Sequence, residues 1–280
     1  MLQPPTREFA FTEQDFDKIR KMIYDYAGIA LSPTKHDMVY GRLAKRLRAL
    51  NLKTFNDYLH VLERGDQKEF ELFTNSLTTN LTSFFRESHH FPILADHLKA
   101  SRGAGTLNLW CSASSTGEEP YSMAITACET FDSLRPPVKI IATDLDTNVL
   151  DQARAGIYAG EEVQKLDPNR VRRFFERLPD GRYLVKQEVR DMIVYRRLNL
   201  VEPNWMIRGP FDAIFCRNVM IYFDKTTQLK ILQRFAPLMK QEGLLFVGHS
   251  ENLYHAADLF KLRGKTVYEL ARVVPHPPGR

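Results

Sequence analysis

Between Phe11 and Leu77 the apolar side chains keep the spacing of amphipathic helices. Thr12, with Asp15 three residues on, has the form of a capping box. Phe16, Ile19, Ile23 and Tyr26 then follow at three- and four-residue intervals. Gly28 is placed to end that helix, and Ser32-Pro33 marks a turn. A second helix is predicted from about Lys35 to Leu50, with Val39, Leu43, Leu47 and Leu50 as its apolar stripe. A third should cover Thr54 to Leu62, and a fourth Glu69 to Leu77.

From about Thr106 the period changes. Short apolar runs appear at Leu107–Cys111, Val138–Thr143, Phe211–Cys216 and Leu244–Val247. Helical segments lie between them, at Pro120–Phe131, Thr147–Ala155 and Thr226–Met239. Strands alternating with helices imply an α/β domain whose parallel sheet is closed by crossover helices. The stretch Glu161–Arg190 interrupts the alternation. It offers a short helix over Asp167–Phe175, a turn at Pro179-Asp180-Gly181 and a strand at Tyr183–Lys186, and so reads as an insertion. The proline-rich tail Val273–Arg280 is expected to be disordered.

Composition narrows the field. The chain has 280 residues, 44% hydrophobic and 26% charged, in the range of globular proteins. No apolar run approaches the roughly 20 residues of a membrane span. The N-terminus has no apolar core of a secretory signal, so a cytoplasmic location is expected. Cys111, Cys128 and Cys216 are odd in number and far apart, which suggests neither a disulfide framework nor a zinc site. The eight histidines lack metal-ligand spacing. His89 and His90 are expected to point apart, and no metal is predicted. A net charge of +5 fits an acidic partner without naming it.

Four segments carry candidate chemistry. Leu109–Pro120 is a strand, a loop of small residues and a helix opening, the place where an open α/β sheet binds a nucleotide-like ligand. The loop has neither GxGxxG nor GxxxxGK[ST]. Glu118 and Glu119 at the helix mouth would repel a pyrophosphate and suit a sulfonium or ammonium group; they could equally complement the helix dipole. Asp144 ends the next strand, about 25 residues on, where an acid can hold both ribose hydroxyls. Asp146 is the rival, better placed to cap the helix that begins at Thr147. The strand Asp212–Cys216 delivers Arg217 and Asn218 to the same sheet edge, and lacks the Pro-Pro-aromatic motif of nitrogen-directed methyltransferases. Cys216 is open to two readings, a nucleophile of the cytosine-methyltransferase kind or a small buried hydrophobe. In Leu77–Arg86, polar Asn80, Thr82 and Arg86 alternate with apolar neighbours.

These segments together resemble the CheR family of chemotaxis-receptor methyltransferases. The likeness runs from about Phe11 to Leu270 and rests on TTNLTSFFRESHHFPIL, WCSASSTGEEPYSMAI, ATDLDTNVLDQARAGIY, FDAIFCRNVMIYFDKTTQ, LLFVGHSENL and RGKTVYEL. It implies a helical receptor-recognition domain and linker over 1–85. A class I, Rossmann-like S-adenosylmethionine-dependent methyltransferase domain would follow over 86–280, with a β-subdomain inserted at about 160–195. The cofactor would be S-adenosylmethionine, leaving S-adenosylhomocysteine, held by Asn80, Thr82, Arg86, Glu119, Asp144, Asn199, Leu200, Arg217 and Asn218. Arg86 and Tyr222 would lie at the methyl-transfer centre. The substrate would be glutamate carboxylates on acidic helices of chemotaxis receptors, docked by Arg42, Lys45, Arg46 and Arg48 opposite the second helix's apolar stripe. The loop Arg177–Arg182 is shorter than in members that bind a receptor C-terminal pentapeptide, so that tether is not expected. A monomer that meets the membrane only through its receptor is implied, with no nucleic-acid partner. Two readings stand against this one: an RNA methyltransferase, and a non-catalytic S-adenosylmethionine sensor or receptor-binding adaptor.

Overall fold

The computed structural model describes residues 7–271; the tail Val273–Arg280, expected to be disordered, lies outside them. The chain divides after Thr79 into two compact units.

Among its described residues the first unit has the α-helices α1 (Glu13–Ala27), α2 (His36–Ala49), α3 (Phe55–Glu63) and α4 (Gln67–Leu77). The capping box at Thr12 is present, and Gly28 takes the left-handed conformation (φ 70°) that closes α1. Thr54 and Asp66 cap α3 and α4 through the amides of Asp57 and Glu69. The buried stripes are those of the apolar period: Phe16, Ile19 and Ile23; Val39, Leu43 and Leu47; Phe55, Tyr58, Leu59 and Leu62; Phe73 and Leu77.

The second unit is an α/β fold. In chain order it runs α5 (His90–Ala100), β1 (Leu107–Cys111), α6 (Glu118–Phe131), β2 (Val138–Asp144), α7 (Thr147–Ala155), β3 (Ile157–Tyr158), α8 (Gly160–Val163) and α9 (Pro168–Phe174). It continues with β4 (Phe175–Arg177), β5 (Tyr183–Val185), α10 (Gln187–Arg190), β6 (Ile193–Arg197), β7 (Phe211–Cys216), α11 (Lys225–Phe235), β8 (Met239–Val247), β9 (Phe260–Gly264) and β10 (Val267–Leu270). The seven-stranded sheet has the order β6-β2-β1-β7-β8-β10-β9. Its first five strands are parallel, and β10 runs antiparallel to both neighbours. This is the expected Rossmann-like arrangement. The chain order reverses between β1 and β7, so the crevice beyond their C-termini is the natural ligand position.

Side chains of the central strands alternate between two cores. Leu107, Leu109, Ala213 and Phe215 join Leu94, Leu98 and the buried face of α6. Trp110, Ile214 and Cys216 join Ile231, Leu232 and Phe235 of α11 on the other side. Strands buried on both faces read as unbroken apolar runs, which is why these strands were visible in the sequence.

Two predicted bounds shift by more than two residues. The helix expected to run to Met239 ends at Phe235, followed by a 3-10 turn through Pro237. Met239 instead opens β8, which is longer than the Leu244–Val247 run. In the segment expected to hold an insertion, β4 and β5 pair antiparallel, and Ile157–Tyr158 upstream adds the third strand of a small sheet ordered β3-β5-β4. From Ile193 the chain belongs to the large sheet.

Candidate active site

The small-residue loop leaves β1 and crosses the end of β2 before α6 begins. The Ser114 amide donates to the Thr143 carbonyl at 2.8 Å, and the Ser115 amide to Asp144 Oδ2 at 2.8 Å. The turn needs left-handed backbone at Ser115 (φ 47°) and Gly117 (φ 102°). At Gly117 a Cβ would meet the Tyr158 hydroxyl at 2.7 Å and Ala153 Cβ at 2.9 Å, so no other residue fits.

Asp144 therefore sits at a junction. Its Oδ1 accepts the Asp146 amide at 3.0 Å, while its backbone carbonyl accepts the Leu198 amide at 2.9 Å, which draws Asn199 and Leu200 alongside. Burial raises its carboxyl to about pH 6 against those amide hydrogen bonds. Asp146 does cap α7, through the Asn148 amide at 2.9 Å, and it also accepts from Asn80 Nδ2 at 2.8 Å. The Asn80 carbonyl accepts from Ser115 Oγ at 3.1 Å. Asn80, Asp144 and Asn199 thus gather at the end of β2.

A second cluster lies beyond β1 and β7, built on Arg217. Its side chain is wholly buried, with Nη1 on Glu119 Oε2 at 2.6 Å, Nη2 on the Arg86 carbonyl, and Glu87 Oε2 at 3.4 Å. The Cys111 thiol donates to the other Glu119 oxygen at 3.3 Å. Burial raises the Glu119 carboxyl, with Arg217 opposing. At Glu87 burial also pushes upward, but the His249 hydrogen bond and the Arg217 charge win and bring it down to about 2. Glu87 further accepts from His249 Nδ1 at 2.9 Å and Asn218 Nδ2 at 3.3 Å.

Asn218 has left-handed backbone (φ 57°). Glu251 holds this turn: its carboxylate accepts the amides of Gly248, Asn218 (2.9 Å) and Ile221 (3.3 Å). Tyr222 ends the 3-10 turn that follows and is half-buried. Arg86 folds back, donating to the Leu81 carbonyl at 2.7 Å, and Phe85 anchors the same segment by its amide on Ser122 Oγ at 2.9 Å. Thr82, also half-buried, lies between Leu81 and Phe85 in sequence.

Three participants were not predicted: Glu87, His249 and Glu251. The only sequence hint is an acid in the glycine-containing turn after β8. Nothing local marks Glu87, whose partners are 131 and 162 residues away.

His89 and His90 do not diverge. Their ring centroids are 4.2 Å apart, because His89 stands before the first turn of α5, and their ligand atoms lie with that of Glu87 within 4.8 Å. His90 Nε2 donates to the Lys265 carbonyl at 2.9 Å, and burial followed by the Arg217 charge lowers its pKa to about 4. The same guanidinium faces the Glu87 carboxylate and opposes a metal ion there. Cys216 is fully buried, and burial holds its thiol well above the ordinary range. It packs as a small hydrophobe, and a thiol so held is a poor nucleophile.

The four basic residues of α2 belong to the helical unit. Arg42 closes the end of α4, donating to the carbonyls of Leu77 (2.9 Å) and Thr78 (2.7 Å) and to Thr79 Oγ1 (3.0 Å). Arg46 makes a two-pronged bond to buried Glu69 at 2.9 and 2.6 Å, and the Tyr58 hydroxyl completes that carboxylate at 2.9 Å. Arg48 pairs with Glu8 on the surface, and Lys45 is exposed.

The donor set can be tested against a nucleoside sulfonium. The Asp144 oxygens accept the Ser115 and Asp146 amides, and a carboxylate with about four lone-pair sites keeps capacity for the hydroxyls of a diol. Asp144 is only half-buried, so a ligand can reach it. Glu118 and Glu119 occupy the helix mouth where a pyrophosphate would need free amides. S-adenosylmethionine fits, and a dinucleotide does not.

Comparison with known proteins agrees. Residues 14–78 match the family described as CheR methyltransferase, all-alpha domain, and residues 80–269 match CheR methyltransferase, SAM binding domain. A chemotaxis protein methyltransferase of Escherichia coli K12 is 49% identical over 276 residues, covering 97% of this chain and 96% of that protein. Chemotaxis protein methyltransferase 2 of Pseudomonas aeruginosa is 48% identical, covering 95% and 96%. Chemotaxis protein methyltransferase 1 of Vibrio cholerae is 36% identical, covering 90% and 94%.

Proposed function

Because the chain belongs to the CheR methyltransferase family, we propose that it transfers the methyl group of S-adenosylmethionine to glutamate side chains of chemotaxis receptors, forming methyl esters for sensory adaptation. The observation that carries this reading is the near-complete coverage of chemotaxis methyltransferases, together with an acid-lined site at the sheet's switch point.

The chain's own tasks follow from the acceptor's chemistry. A glutamate carboxylate is ionised at neutral pH, so no general base is required. What remains is alignment and exclusion of water. The bound donor supplies an electrophilic sulfonium methyl. Asp144 would hold the ribose, with Asn80, Thr82, Asn199 and Leu200 bordering the nucleoside. Glu119, Arg217, Asn218 and Arg86 would border its amino-acid end. Arg86 or Tyr222 would fix one oxygen of the incoming carboxylate and leave the other to attack. Charge is neutralised along this reaction, so strong pairing of either reactant would slow it, and Arg217's prior engagement with Glu119 suits that need.

For receptor docking we assign Lys45 and Arg48 the outward role, since exposed cations can meet an acidic helix. Arg42 and Arg46 act through the shape of the helical unit, because their guanidinium groups are committed internally. Among the described residues no helix is long and apolar enough to cross a membrane. We place the enzyme in the cytoplasm as a monomer. The tight Leu178–Arg182 turn between β4 and β5 favours independence from a receptor pentapeptide.

The test is incubation with tritiated S-adenosylmethionine and receptor-containing membranes. Label released as methanol in mild base identifies a carboxyl ester. Base-stable or RNase-sensitive label would replace this function with another methyl transfer, and donor binding without turnover would leave the sensor reading.

A further inference from the structure

The loop that joins β6 to β7 passes from buried Leu198, Asn199 and Leu200 into a stretch whose side chains are largely exposed. Such a stretch needs an outside anchor to keep one shape. Asn199 starts a turn, its Oδ1 accepting the Val201 amide at 3.2 Å and its carbonyl the Glu202 amide at 3.2 Å. The carbonyls beyond that turn converge on one side chain from α11. Arg234 Nη1 donates to Glu202 O at 2.5 Å and to Leu200 O at 3.3 Å, and Nη2 donates to Pro203 O at 3.0 Å. Its guanidinium also stacks on Trp205, 3.6 Å from the ring centroid. Trp205 packs edge-on against Trp110 at 5.4 Å, and Trp110 Nε1 donates to Thr143 Oγ1 at 3.0 Å, one residue before Asp144.

We propose that Arg234 is a positioning residue for the methyl donor, fixing the Asn199–Trp205 loop in the shape that borders the nucleoside. This rests on the reading that Asn199 and Leu200 contact the donor. The chemistry favours arginine specifically. A planar fork with several fixed donors can satisfy three carbonyls and stack on an indole at once, whereas an ammonium is a single point. Without the fork the loop samples other shapes, and apparent affinity falls by the fraction of time spent in the competent one.

The experiment uses the full chain with Arg234→Met, Arg234→Lys and Asn199→Ala. S-adenosylhomocysteine binding is measured by calorimetry, and donor kinetics with receptor membranes. Arg234→Met is expected to raise both the product Kd and the donor KM about tenfold while kcat stays within about twofold, as for a tenfold smaller competent population. Arg234→Lys should fall between. A lowered melting temperature with unchanged Kd would overturn the proposal, as would failure of both Arg234 variants to fold, since either marks a scaffold role alone. Unchanged binding in Asn199→Ala would instead remove the underlying site reading. Weakened binding there beside normal binding in Arg234→Met would sink this inference only.

Discussion

Replacing Arg46 with methionine isolates the largest electrostatic commitment in the helical unit. Glu69 has 5% of its side chain exposed, and Arg46 supplies its two shortest polar contacts apart from Tyr58. Removing one partner of a buried ion pair costs about 3–5 kcal/mol, because the other charge stays behind unpaired. Arg46 keeps 20% exposure, so water can follow into the vacated space, which places the cost near the lower end, about 3 kcal/mol. For a unit of this size each kcal/mol lowers the midpoint by about 4–8 °C, giving a drop of about 12–24 °C in the transition that reports the helical unit. Scanning calorimetry with far-ultraviolet circular dichroism reads it. The double variant Arg46→Met, Glu69→Gln removes the stranded charge, retains an acceptor for Tyr58, and should recover most of the loss. A fall below about 3 °C in the single variant, or no recovery in the double, would refute the claim that burial makes this pair matter. The result also bears on receptor assays, because a charge reversal at Arg46 would weaken the proposed docking by unfolding the helical unit.

Lys45→Glu with Arg48→Glu avoids that confusion: receptor KM should rise severalfold while S-adenosylhomocysteine binding is unchanged, and weakened product binding would count against the assigned surface. With the Asp144 carboxyl raised to about 6, donor affinity should hold above pH 7 and fall about tenfold by pH 5, since protonation removes an acceptor needed by the ribose. The sign for stability is opposite: a carboxyl raised on folding favours the folded state at low pH and loses that contribution as pH climbs past about 6. A pH profile of product binding that is flat from 5 to 8 would disprove the ribose role. Cys216→Ala should retain most activity, and abolition of turnover with intact folding would revive a nucleophilic cysteine.

How much was legible depended on how local the cause was. Thr12 and Gly28 bracket α1 through neighbours three and four residues away, so the sequence shows them directly. The strands β1 and β7 are buried on both faces and, with β2, stand out as apolar runs. The edge strands β6 and β9 carry exposed Arg196, Arg197, Lys261 and Arg263, and their polar faces hide them. Helix α5 was not among the predicted elements; its Pro92 falls within the first turn, where proline is tolerated. At the site, Asp144 ends one strand and Arg217 follows another, so both can be found from position in the fold. That Arg217 is clasped by Glu119, 98 residues earlier, by the Arg86 carbonyl, 131 residues earlier, and by Glu87 beside it depends on the closed tertiary structure. The basic stripe of α2 shows the converse: periodicity identified the face, but not that Arg42 and Arg46 spend their donors inside the unit.

Burial of the clasped Arg217 has a consequence for how the protein responds to its ionic surroundings. Mobile ions screen exposed charges over about 8 Å at physiological strength and reach sealed ones far less. If Lys45 and Arg48 dock the receptor as proposed, dissolved salt should therefore loosen that contact while leaving the nucleoside cleft nearly indifferent. An osmotic upshift in the cell would then slow methylation by thinning enzyme–receptor encounters, with the cleft still loaded.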